Sequence, residues 1–239
     1  MNKKIKFLIA TGGTGGHVLP ALALAKNLEK NNFIASLVSD ARGLKFLNNE
    51  KKIKIYSISS TRIFNKNIFL FVSSFFKIIL ALFECFIILY KSKPKIVFGM
   101  GGYASFPVCL AAKIFKIPVI IYENNLFLGK TNKYLLPIAD KMFVSYKELE
   151  GINDKYRNKV TEVGNIIREE ILNYKEINSN HNSDKIKILV VGGSQAAEFF
   201  GKVLPDVFKK CKEKKINLKI YQQCLPHQNN FLIDQYKRL

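Results

Sequence analysis

Ile5-Lys6-Phe7-Leu8-Ile9-Ala10 runs without a break into Thr11-Gly12-Gly13-Thr14-Gly15-Gly16-His17, and Val18 onward reads as a helix. An apolar strand that ends in a glycine turn and a helix start aims backbone N–H groups and the positive helix end at an anion. Glycine lets that backbone come close to a phosphate. The arrangement recurs. Lys95-Ile96-Val97-Phe98 leads into Gly99-Met100-Gly101-Gly102-Tyr103-Ala104-Ser105, and the run from Ile186 to Val191 leads into Gly192-Gly193-Ser194-Gln195.

Short β-branched runs continue along the chain: Phe33 to Val38, Ile53 to Ile58, Val119 to Tyr122, Met142 to Ser145, Val160 to Val163 and Leu218 to Tyr221. Helical patterns such as Leu19 to Leu28, Ala104 to Phe115 and Glu198 to Lys212 fall between several of them. The alternation predicts an α/β protein of parallel sheets with helices on both faces. A polar stretch from Asn173 to Lys185 interrupts it. Because a fresh strand and glycine loop follow, we expect a first domain over 1–165 and the start of a second over 166–239. After one helix and one further strand the chain reaches Leu239, too few elements for a doubly wound sheet, so the second domain reads as incomplete.

The 239 residues are 48% apolar, enough for a real core. The formal net charge of +20 suits an anionic partner but is shared by nucleic acid, anionic lipid and polyphosphate ligands. Aromatic residues gather in the apolar run from Ile68 rather than along a basic groove, which disfavours nucleic-acid binding. Cys85, Cys109, Cys211 and Cys224 form no Cys-x-x-Cys pair, so neither a metal site nor a disulfide framework is expected. Met1-Asn2-Lys3-Lys4 leads into a short strand and a glycine loop, without the apolar segment of a secretory signal.

From Ile68 to Tyr90 only Lys77 and Glu84 carry charge. The run is long enough to span a bilayer, but those two charges would sit mid-membrane. Ser73, Lys77, Ala81, Glu84 and Lys91 form one less apolar stripe. A core helix and a helix resting in a membrane interface, assisted by Arg62, Lys66, Lys77 and Lys91, both remain open.

The second loop also satisfies G-x-G-x-x-A, and Glu123 lies 24 residues beyond Gly99, the layout of a dinucleotide fingerprint. Two loops on strands of one domain argue against a nicotinamide enzyme, which needs one. None of the three glycine-rich loops carries G-K-[ST], so a P-loop nucleotidase is disfavoured too.

Taken in order, Thr11 to Ala23, Gly99 to Pro107 and Gly192-Gly193-Ser194-Gln195 closely resemble the MurG family of peptidoglycan glycosyltransferases. Tyr122-Glu123-Asn124-Asn125, Gly129 to Lys133 and Gly164 to Arg168 extend the resemblance over essentially the whole chain. It implies a GT-B fold of two Rossmann-like domains, peripheral on the cytoplasmic face of the plasma (inner) membrane through an apolar, basic patch. It also implies transfer of N-acetylglucosamine, with inversion and release of UDP, from UDP-N-acetylglucosamine to the muramoyl 4-hydroxyl of lipid I, undecaprenyl-pyrophosphoryl-muramoyl-pentapeptide. No cofactor or metal is implied.

Such a reaction asks for a base and for groups that hold diphosphates. His17, where the first loop becomes a helix, is the candidate base; a histidine that orients substrate without moving a proton is the alternative. Thr14, Gly15 and Gly16 would offer N–H groups and a hydroxyl, and Gly101, Gly102, Tyr103 and Ser105 would do likewise toward the acceptor diphosphate. Tyr103 reads equally as a core aromatic. By resemblance Asn125 sits near the reacting sugars, Arg168 contacts the donor and Ser194 binds the donor diphosphate. Arg168 also reads as one of 38 basic residues on the surface. Tyr122, Asn124, Ala196 and Gly201 depart from the family pattern. The family's later donor-binding segments have no counterpart before Leu239, so poor donor binding is expected, and a non-catalytic lipid-I-binding module stays as the alternative.

Overall fold

The strand-forming runs are apolar at successive positions because both faces of the sheet are covered. Leu8 and Ala10 pack into one hydrophobic cluster and Ile9, between them, into another. Val97 and Phe98 divide the same way, as do Ile121 and Tyr122, which is the two-residue period of a strand with a core on each side. The computed structural model describes residues 4–59, 68–174 and 185–237. Chain contacts divide the protein into two units, Met1–Tyr174 and Lys175–Leu239.

In the first unit β1 (Lys6–Ala10), α1 (Gly15–Lys30), β2 (Ile34–Ser39), α2 (Ala41–Leu44) and β3 (Lys54–Ser57) are followed by α3 (Ile68–Ser92). Then come β4 (Ile96–Gly99), α4 (Ser105–Ile114), β5 (Val119–Glu123), α5 (Lys130–Leu135), β6 (Lys141–Val144), β7 (Val160–Glu162) and α6 (Glu169–Leu172). The seven strands form one sheet in the order β3-β2-β1-β4-β5-β6-β7, with every neighbouring pair parallel. Strand order reverses between β1 and β4, and in open α/β sheets ligands bind outside the carboxyl ends at that switch point. Two of the glycine loops leave the sheet there. Val18, Ala21 and Ala25 of α1 fill one core; Cys85, Ile88 and Leu89 of α3 and Val108, Cys109 and Ala112 of α4 fill the other.

The orientation of α3 differs from the stripe read in the sequence. Ala81 and Cys85 are buried, and Glu84 turns toward the end of β3, where its carboxylate accepts from Ser59 N at 2.7 Å and Ser59 Oγ at 3.0 Å. The outward face is instead Leu80, Phe83, Ile87 and Tyr90. Nearly every side chain of the helix is apolar, so the buried face is selected by packing volume against α4 and by the bond to Ser59. Ser73, Lys77, Arg62 and Lys66 lie outside the residues whose side chains are described. Among the described residues no helix is long and apolar enough to cross a membrane.

The break between units falls after Tyr174, nine residues beyond the expected boundary at 165/166. Ile166 packs against the α1-side core, and Glu169 pairs with Lys30 of α1, which ties 166–172 to the first unit. Tyr122 reinforces the tie: its hydroxyl lies 2.7 Å from Ser145 Oγ, donates to Gly164 O at 3.1 Å and accepts from Ile166 N at 3.2 Å. Most of the polar stretch at 173–185 lies outside the described residues.

The second unit holds β8 (Ile186–Val190), α7 (Ser194–Glu213), β9 (Leu218–Gln222) and α8 (Asn229–Lys237). Its two strands are parallel, and Ile186, Leu189 and Tyr221 remain exposed on them, as does Val191 just beyond β8. Cys85 and Cys109 are buried in the first unit, where desolvation raises both thiols, Cys85 to about 12. They behave as small apolar side chains, inert as nucleophiles.

Candidate active site

At the carboxyl ends of β1 and β4 the two glycine loops meet backbone to backbone. Gly102, at φ +78°, leaves no room for a side chain, since a Cβ there would stand 2.3 Å from Gly12 O. Ser105, wholly buried, closes the junction with Oγ 2.9 Å from Ala10 O and 2.6 Å from Gly101 O. Thr11 N donates to Val38 O and Met100 N to Ala10 O, so both loop entrances are pinned to the sheet.

Thr14 takes the N-cap position of α1 with extended backbone, and its side chain makes no capping bond. Its carbonyl accepts from His17 N at 3.1 Å and Val18 N at 3.2 Å. The Gly15 and Gly16 amides belong to the first helical turn and have no carbonyl behind them, the geometry that suits an anion. Gly13 is different: its N–H donates to Asp40 Oδ1 at 3.0 Å. Part of the first loop is thus occupied by the protein's own carboxylate.

His17 lies directly over the second loop, for a Cβ on Gly101 would come 2.8 Å from His17 Nδ1. Desolvation holds the imidazole's pKa below its ordinary value, against the Glu123 carboxylate and a hydrogen bond to the Met100 backbone, which both act to raise it. The neutral ring, able to accept a proton, is therefore favoured at neutral pH.

Glu123, at the end of β5, is 2% exposed and accepts four hydrogen bonds. Asn125 N (3.2 Å) and Nδ2 (2.8 Å) reach Oε1, while Gly129 N (2.9 Å) and Asn132 Nδ2 (2.9 Å) reach Oε2. The carboxylate whose spacing from Gly99 matched a dinucleotide fingerprint is thus the hub of the β5–α5 turn. It positions Asn125, which is exposed. Asn124 Nδ2 donates to Gly16 O at 3.1 Å and links this turn to the first loop.

Thr14, Gly15, Gly16, His17, Gly101 and Gly102 therefore converge, with Asn125 joined to them through Glu123 and Asn124. Tyr103 is half-buried rather than a core aromatic, and the Arg42 guanidinium lies 5.1 Å from its ring centroid. Arg168 is not brought to the loops. It is exposed at the start of α6 and lines a groove with Leu19, Leu22 and Lys26 on the flank of α1. Ser194 opens α7 in the second unit, behind Gly193 at the N-cap; its side chain lies outside the described residues.

Asp40, Arg42 and Glu123 as a site component were not found by sequence reasoning. Asp40 at the end of β2 was recognisable only as a polar residue after an apolar run, and Arg42 had no signal beyond its charge.

A doubly wound parallel sheet with two glycine loops and a desolvated histidine at its switch point belongs to the Rossmann-like α/β domains of GT-B glycosyltransferases. Residues 7–144 match the glycosyltransferase family 28 N-terminal domain, and the chain belongs to that family. It is 35% identical, over its full length and 64% of the relative's, to the UDP-N-acetylglucosamine--N-acetylmuramyl-(pentapeptide) pyrophosphoryl-undecaprenol N-acetylglucosamine transferase of Pelagibacter ubique. The Zymomonas mobilis protein of the same name is 34% identical over 100% of this chain and 62% of its own. The crystal structure of Acinetobacter baumannii MurG superposes with a TM-score of 0.70 at 27% identity, covering 98% of this chain and 63% of that one. A putative UDP-N-acetylglucosamine 2-epimerase from Listeria monocytogenes, TM-score 0.62 at 16% identity over 98% of this chain and 66% of its own, shares the fold. The chain thus spans less than two thirds of the length of these relatives.

Proposed function

We propose that the chain carries the acceptor side of an inverting glycosyltransferase that moves N-acetylglucosamine from UDP-N-acetylglucosamine to the muramoyl 4-hydroxyl of lipid I, giving lipid II. The observation that carries this reading is His17, half-buried and seated on the second glycine loop at the start of α1. In the reaction the 4-hydroxyl oxygen bonds to the anomeric carbon from the face opposite UDP, the carbon–oxygen bond to UDP breaks, and the hydroxyl proton passes to the His17 imidazole. The Gly15 and Gly16 amides and the second loop receive the acceptor diphosphate, Asn125 meets sugar hydroxyls, and Arg168 and Ser194 belong to the donor side. The outward apolar face of α3 rests on an anionic membrane surface, on the cytoplasmic side of the plasma membrane, where lipid I is presented.

Transfer of radiolabelled N-acetylglucosamine to a lipid I analogue tests the reading. His17→Ala should abolish transfer at an unchanged donor affinity, and an active His17→Ala variant would remove His17 as base. The open sheet of the second unit favours a second reading, in which this chain binds acceptor but holds donor weakly. Calorimetric titration with UDP-N-acetylglucosamine separates them: micromolar affinity excludes the binding-only module.

A further inference from the structure

Two buried carboxylates, Asp40 and Glu123, each 2% exposed, flank the loops assigned to the acceptor diphosphate. Asp40 Oδ1 also takes the Gly13 amide at 3.0 Å and the Gly43 amide at 2.9 Å, so one loop donor is already used. A dianion entering here meets like charge in a poorly solvated setting, and amides of partial charge offset it incompletely. A full cation is required at the same place.

Arg42 is held there by Asp40 and Tyr103 and lies beside the first loop. Its Nη2 and Nε donate to Asp40 Oδ2 at 2.7 and 3.2 Å, and its guanidinium lies 5.1 Å from the Tyr103 ring centroid in the second loop. Its Nη2 is 3.8 Å from the position a Cβ would take on Gly13 in the first loop. The side chain is 53% exposed, and among the described residues Asp40 is its one hydrogen-bond acceptor. A guanidinium has five N–H donors, so the outer edge of the fork faces solvent with donors to spare.

We infer that Arg42 is a diphosphate-binding residue that bridges the two glycine loops, a role that rests on the acceptor reading above. Asp40 fixes one edge of the fork and Tyr103 fixes its plane, which leaves the other edge preorganised for two oxygens of a diphosphate. Lysine could supply the charge but neither the fork nor the stack.

Calorimetric titration of the 239-residue chain with farnesyl diphosphate and farnesyl monophosphate, at two salt concentrations, tests the inference. Loss of a charge-assisted bond weakens binding by about tenfold or more. Arg42→Gln is expected to lose about that factor for the diphosphate, less for the monophosphate, with a flatter salt dependence. Gln can still donate to Asp40, and Arg42→Lys, expected to recover only part of the affinity, decides the matter if the Gln variant does not fold. Diphosphate affinity within about twofold of the parent in Arg42→Gln, or full recovery in Arg42→Lys, overturns the inference and leaves the acceptor reading standing. If the parent chain binds neither probe, the acceptor reading falls and takes this inference with it.

Discussion

Gly102 and Gly164 share the same backbone dihedral, φ +78°, but only Gly102 faces an obstacle. Alanine at either position pays for the left-handed backbone, about 1–2 kcal/mol. At Gly164 nothing lies within 4 Å of the added Cβ, so the cost stops there. At Gly102 the Cβ would sit 2.3 Å from Gly12 O and 2.7 Å from Gly12 C, against an ordinary contact of 3.4 Å or more. The obstacle is backbone pinned at both loop entrances, so it must yield by about 1 Å, adding roughly 1–3 kcal/mol of overpacking. Gly102→Ala is therefore expected to cost about 2–5 kcal/mol and Gly164→Ala about 1–2 kcal/mol. With a urea dependence near 2 kcal/mol per molar, the midpoints should fall by about 1–2.5 M and 0.5–1 M. Urea titration followed by far-UV circular dichroism measures both. Equal midpoints for the two variants would refute the claim that the loops are wedged together.

Burial of His17 lowers its pKa, so between that lowered value and about 6.5 the unfolded chain binds more protons than the folded one. Stability should be complete above about pH 6.5 and decline as pH falls toward the lowered value; His17→Asn should flatten that part of a urea-midpoint profile, and an unaltered profile argues against desolvation. Tyr122→Phe removes the hydroxyl shared by Ser145, Gly164 and Ile166, for an expected loss of about 1–3 kcal/mol. Limited proteolysis at 163–168 should then accelerate, and an unchanged cleavage rate contradicts the latch. Phe83→Ser with Ile87→Ser, both on the outward face of α3, should leave the urea midpoint in place yet reduce flotation with anionic vesicles at least about tenfold; undiminished flotation places the membrane contact elsewhere.

Every strand expected from the sequence is present within a residue or two, because runs such as Leu8-Ile9-Ala10 and Val119 to Tyr122 are buried on both faces and carry the strand signal whatever surrounds them. The glycine loops and His17 were legible for a similar reason: their chemistry is local. The rest of the site was not. Asp40 is decisive because β2 ends beside β1 and turns its carboxylate onto Gly13, a relation set by sheet order rather than spacing. Glu123 matched a motif by distance along the chain, but its four neutral donors come from the turn that follows it. Periodicity could not orient α3 either, since a helix apolar all round offers no contrast, and the bond from Glu84 to Ser59 across 25 residues decides its inward face.

The bond from Ser105 to Ala10 spans 95 residues, and the Gly12–Gly102 contact nearly as many. During synthesis at roughly 5–20 residues per second, the first loop therefore emerges about 5–20 s before the partner that shapes it. Over the same interval α3 leaves the ribosome ahead of α4, the helix it packs against, so the side it turns to α4 stands uncovered. The nascent chain passes through a window in which the α4-facing side of this apolar helix lacks its partner. Residues 99–114 supply both missing pieces, the second loop that seats on the first and the helix that covers that side of α3.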